Sequence, residues 1–167
     1  MIGTFAFVLA ILVFTALSAV SDFKEKQVPM LWTGAIVAAG CALFTYTAVT
    51  GPASERKAML LSGLICLIFC FLTNLFRLWG PADGKALFGG LAIGICLFQP
   101  EETIAYLMLI ASYLLVTSLT ALIVNRWSKI RETEKGFLHQ TVAVVPGFFV
   151  ADVAVAVFYL VTLSSLR

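Results

Sequence analysis

Charge is the first thing this chain is short of. Only 12% of its 167 residues are Asp, Glu, Lys or Arg, against 61% that are hydrophobic. Soluble domains carry about 25% charged and roughly 45–50% apolar residues. A surface with so little polar material does not stay dissolved, so the chain requires lipid as its solvent. The 11 basic residues form no cluster and the net charge is only +2, which leaves no footprint for nucleic acid. There is one histidine, His139, and none of the four cysteines, Cys41, Cys66, Cys70 and Cys96, forms a Cys-x-x-Cys pair. A zinc site therefore has no ligand set, and no metal or organic cofactor is implied. All four cysteines lie in apolar runs and read as small apolar filler, with Cys66 and Cys70 sharing a helix face. Linkers, low-complexity tracts, usable internal repeats and a soluble domain are also missing. The chain reads as a single domain, 1–167.

What the sequence has is apolar length. Crossing about 30 Å of hydrocarbon takes roughly 20 helical residues. Six stretches qualify or come close: Ile2–Val20, Met30–Val49, Ala58–Phe76, the shorter Ala86–Phe98, Thr103–Val124 and Val142–Leu163. They lack the alternation of a barrel strand, and an open apolar strand would leave its backbone groups unpaired in lipid. The expected fold is therefore all-α, a polytopic bundle of about six transmembrane helices. Pro29 suits the residue before the second helix or its first turn. Ala16-Leu17-Ser18 loosely resembles a signal-peptide processing site, but the run has no basic n-region and exceeds a usual h-region, so it is expected to be retained.

Loop charge then sets orientation. The first, third and fifth connections hold Lys24, Lys26, Arg77, Lys85, Arg126, Lys129, Arg131 and Lys135; the other side holds only Arg56, Lys57 and Arg167. The positive-inside rule puts the first set in the cytoplasm. The expected location is the cytoplasmic (inner) cell membrane, multi-pass.

Only three aspartates are present: Asp22, Asp83 and Asp152. Asp22 is read as following the first helix and Asp83 as preceding the fourth, so both fall at the cytoplasmic face. Helix-end aspartates are commonly solvated boundary residues. Two that come close together behave differently, because both cannot ionise cheaply: one keeps its proton while the other stays charged. That division of labour is the one aspartic proteolysis uses, the charged member activating water and the protonated one polarising the scissile carbonyl.

The flanking residues sharpen this. Asp22 opens Asp22-Phe23-Lys24-Glu25-Lys26-Gln27-Val28-Pro29, and Asp83 sits in Gly80-Pro81-Ala82-Asp83-Gly84-Lys85-Ala86-Leu87. In these two motifs the chain resembles the type IV prepilin peptidase family, including the archaeal preflagellin peptidases, the membrane aspartyl proteases of the G-x-G-D class. Asp22, Lys24, Val28 and Pro29 match the first motif in register, with Met30 where asparagine is usual. Gly80, Asp83 and Lys85 match the second, with Ala82 for the middle glycine. Val145-Pro146-Gly147-Phe148 loosely resembles the family's C-terminal proline motif. The resemblance implies Asp22 and Asp83 as the catalytic pair. It also implies a pilin-like precursor as substrate, cut at its leader junction on the cytoplasmic face. The first connection, about nine residues long, has no room for the cysteine-rich loop of longer members, so peptidase activity without methylation is expected.

Several residues keep two readings. Gly80, Pro81 and Gly84 form either an ordinary loop or an unwound segment beside Asp83. Lys85 anchors its helix at the interface or helps hold an aspartate ionised. Gly90 and Gly94 are a small-x-x-x-small pair, read as a tight helix contact. Asp152, deep in the last apolar run, is a functional candidate by position and equally a buried hydrogen-bonding group. Asn74 reads as an interhelical pairing residue and His139 as a wet interface residue. Two rival functions stay in view: a small proton- or cation-coupled transporter or channel subunit using Asp152 and Asp83, and a non-catalytic assembly protein of the same fold.

Overall fold

The computed structural model describes residues 2–25, 28–53, 55–75, 81–99, 103–131 and 145–165. They form six α-helices and, among the described residues, no strand: α1 (Ile2–Glu25), α2 (Met30–Thr50), α3 (Arg56–Leu75), α4 (Pro81–Phe98), α5 (Thr103–Arg131) and α6 (Val145–Ser165). The expectation of an all-α fold with six helices in this order holds. Three helices contain stretches long and apolar enough to cross a membrane: Gly3–Lys24, Met30–Thr50 and Val145–Thr162.

The helix ends correct the sequence reading. Asp22 does not follow α1 but lies in its last turn, with Lys24. Asp83 does not precede α4 but occupies its first turn, and α5 runs on through Arg126 and Lys129 to Arg131. Apolar runs mark where a helix is buried, whereas its hydrogen-bonded ladder continues into polar sequence until something stops it. At 24 residues α1 is about 36 Å long, more than the hydrocarbon alone requires. Pro81, expected to disrupt regular structure, is instead the first residue of α4, where its missing N–H costs nothing. Asp83 complements the positive end of that helix's dipole. Pro29 stands immediately before α2, and its carbonyl accepts Trp32 N–H at 3.1 Å. Gln99, at φ 42, ends α4 in the left-handed region, its N–H bonded to Ile95 O at 2.9 Å.

Helices consecutive in sequence alternate in direction. Thr33 lies near Lys85 and Gly40 meets Phe88 and Ala92, so α2 and α4 run parallel. Gly3 and Phe7 lie against Tyr46, so α1 opposes α2. Phe44 fills the space beside Gly63, where α3 packs on α2. Tyr113 meets Asp152 and Thr117 meets Gly147, so α5 opposes α6. Contacts order the outer helices α3, α2, α1, α6 and α5 around α4, which touches all five. Ala86 to Leu97 of α4 is buried without a break, as befits a helix apolar on every side and enclosed by others.

The exterior is largely apolar, and the interior holds several hydroxyls and one carboxyl. Leu60, Leu61, Leu64, Ile65, Ile68 and Phe71 of α3 are exposed, whereas Thr15, Ser18, Thr33, Thr47, Thr117 and Asp152 are buried. A water-facing surface of that kind would be an aggregation hazard; a lipid-facing one is ordinary. Most buried hydroxyls satisfy themselves on their own helix, as in Thr47 Oγ1 donating to Leu43 O at 2.9 Å.

Candidate active site

The alternation brings the last turn of α1 and the first turns of α2, α4 and α6 to one end of the bundle. Asp22 and Asp83 both lie at that end, and α1 and α4 touch. The half-buried Asp22 carboxylate accepts the backbone N–H of Val145 through Oδ2 at 3.2 Å. Val145 opens α6, so its N–H is one of the donors that a helix start leaves without an internal partner. Asp22 therefore caps α6 from across the bundle, which no local capping rule reveals from sequence.

Lys85, one turn into α4, donates from Nζ to Thr33 Oγ1 on α2 at 3.4 Å. It ties the Asp83 end of α4 to the start of α2, one turn beyond Pro29. Ala82 and Asp83 are half-buried and Gly84 is buried, all in regular helix, so an unwound segment does not extend into residues 81–84. Lys24 is exposed on the last turn of α1. Pro146 lies in the first turn of α6 between the buried Val145 and Phe148. Gly147 lets α6 approach α5 closely: a Cβ there would come within 2.5 Å of Thr117 O. Gly80, His139, Arg77, Lys26, Lys135 and the side chain of Asn74 fall outside the described residues.

Asp152 forms a separate polar centre, deeper in the bundle and fully buried. Tyr113 of α5 donates its hydroxyl to Asp152 Oδ1 at 2.5 Å, and its ring stacks on Phe148 with centroids 6.2 Å apart. Gly90 of α4 makes room for both: a Cβ at that position would collide with the Tyr113 hydroxyl and with Asp152 Oδ1. One turn on, Gly94 receives Leu109. The Gly90/Gly94 pair is thus a close contact, as expected, filled by Tyr113 and Leu109 of α5 and Asp152 of α6. Removing the hydroxyl should expose its worth: Tyr113→Phe leaves Asp152 Oδ1 buried without that donor, at a cost of about 1–3 kcal/mol. The readout is a lower Tm in detergent, and an unchanged Tm would mean the pair contributes nothing.

Sequence reasoning missed Tyr113, Thr15 and Ser18. Each is a polar group inside an apolar run, which was the available signal, but nothing local pairs Tyr113 with a residue 39 positions away. Among the described residues no group of three or more His, Cys, Asp or Glu could hold a metal. A half-open cavity of about 240 Å³ lies at the opposite end, lined in part by Thr4, Thr47, Thr50, Gln99 and Tyr159, with no carboxylate among the described residues that line it.

In comparisons with known proteins, no family model, no curated protein and no solved structure matches the chain.

Proposed function

We propose that this chain is a six-span membrane aspartyl endopeptidase that removes the leader from pilin-like precursors at the cytoplasmic face, with Asp22 and Asp83 as its catalytic pair. The observation that carries the reading is the two aspartate motifs, Asp22 to Pro29 and Gly80 to Lys85, in the register of the G-x-G-D peptidases. The antiparallel arrangement of α1 and α4 supports it, because residues 61 positions apart share one end of the bundle. In this mechanism the ionised aspartate takes a proton from water as it attacks the scissile carbonyl, and the protonated one donates to the carbonyl oxygen. The C–N bond then breaks as the first aspartate passes water's proton to the leaving nitrogen and the second recovers its own, leaving a new carboxyl and a new amine. Val145 N–H holds one Asp22 oxygen in place, and Lys85 steadies the helix that carries Asp83. The precursor's apolar helix would be held by packing within the bilayer, and its leader junction by extended backbone pairing.

The test is cleavage of a pilin-like precursor in membranes containing the full chain, compared with Asp22→Asn and Asp83→Asn at equal insertion. Full processing by either variant overturns the catalytic assignment. A rival reading, a proton- or cation-coupled transporter, draws on the full burial of Asp152. It expects Asp152→Asn to abolish a measurable flux in proteoliposomes, with no precursor cleaved.

A further inference from the structure

We propose that the seam between α1 and α6 holds a bound water molecule, bridging Asp152 Oδ2 and Ser18 Oγ. These are the two buried side-chain polar atoms that, among the described residues, have no hydrogen-bond partner in the protein. Both residues are fully buried. The neighbouring donors are engaged elsewhere. The single hydroxyl proton of Tyr113 goes to Asp152 Oδ1. Thr15 lies within hydrogen-bonding reach of the Asp152 carboxyl, but its hydroxyl is directed at Ile11 O at 2.8 Å. With the hydroxyl turned that way, Oδ2 receives no donor from the protein.

The register of the two helices puts the second orphan within reach. Asp22 meets Val145 and Thr15 meets Asp152, so each step up α1 is a step back along α6. Ser18 lies three residues from Thr15 on the same side of α1, an axial offset of about 4.5 Å. Two hydrogen bonds of about 2.8 Å each span that offset through one intervening oxygen. Buried polar groups left over by the protein are where ordered water is found, and water both donates and accepts, so it satisfies the serine and either form of the carboxyl. On α4, Gly90 lies against the Tyr113 hydroxyl and Asp152 Oδ1. The site continues a line of polar side chains, Thr15, Ser18 and Asp22, that reaches the end of the bundle. This inference does not depend on the peptidase reading.

The experiment is thermal unfolding of the full chain in detergent, with no substrate. If water bridges the pair, Ser18→Ala removes one of its anchors and lowers Tm by about 2–4 °C. In an Asp152→Leu background, where the other anchor is already gone, the same substitution costs nothing. If the seam is dry, deleting an orphaned hydroxyl leaves Tm unchanged or raises it, and the proposal fails. An equal Ser18→Ala loss in both backgrounds also overturns it. So does a wild-type Tm that rises when sodium replaces choline in the buffer, since a cation would then occupy the seam. Should Asp152→Leu not fold, Ser18→Ala and the sodium comparison decide the matter between them.

Discussion

Asp22→Asn and Asp83→Asn are each expected to slow precursor cleavage by about 10²–10⁴-fold, the range lost when a positioned acid or base is removed. An amide neither gains nor gives up a proton at neutral pH, so the shared-proton chemistry ends while the shape of the side chain is kept. The structure separates this loss from unfolding. Asn at 22 retains an oxygen that can accept Val145 N–H, so α6 stays capped and Tm should move little. Asp22→Ala removes that acceptor as well, at a cost of about 1 kcal/mol typical of a lost cap. A capping residue with no chemical role would give the reverse pattern: Asn fully active, Ala unstable and correspondingly less active. Asp83 stands in the first turn of α4, where its charge is worth about 0.3–1 kcal/mol to the helix, so Asp83→Asn should remain folded. The cleavage assay with a parallel Tm measurement separates the two cases.

Gly90→Ala should be the most damaging single-methyl change in the described core. The added Cβ would overlap the Tyr113 hydroxyl and ring, and also Asp152 Oδ1. Tyr113 cannot swing away, because its ring lies flat against Phe148 and its residue is only 2% exposed. Overpacking of this kind costs about 1–3 kcal/mol and occasionally more. Here the displaced phenol would also release a fully buried carboxyl from its donor. Gly34→Ala is the matched control: nothing lies within 4 Å of its Cβ position on α2, so alanine should stabilise by roughly 0.5–1 kcal/mol through helix propensity. Denaturant or thermal unfolding of the two variants should move in opposite directions. Equal shifts would mean that α5 does not pack over Gly90.

The number, order and type of the helices were legible because apolar runs bounded by Pro, Gly and charge are a long-range-independent signal. Their ends were not. Asp22, Lys24, Asp83, Lys85 and Arg131 are all helical, since hydropathy falls before the hydrogen-bonded ladder stops. Pro81 in sequence fits a loop, an unwound segment or a helix start, and it is a start, a distinction that depends on which side of the proline the helix lies. The shortest apolar run, Ala86–Phe98, turned out to be the centre of the bundle. Its small residues, Gly89, Gly90 and Gly94, are what let Ile36, Tyr113 and Leu109 close in around it. Gly90/Gly94 could be read as a contact, but the identity of its filler could not. The Asp22–Val145 and Tyr113–Asp152 bonds join residues 123 and 39 apart, and no local pattern encodes either.

The placement of α4 has a mechanical consequence. With five helices leaning on it, α4 is the axle of the assembly, and among the described residues the flanking α3 and α5 each rest on two neighbours and not on one another. Slow, collective loosening should therefore begin at those flanks and reach the axle last. In deuterium exchange, the amides of Ala86 to Leu97 are expected to be the most protected in the chain, with α3 giving up its protons well before them. Asp83 sits on the end of that stiffest element and Asp22 on a more lightly held one, so relative movement between the two acids falls chiefly to α1.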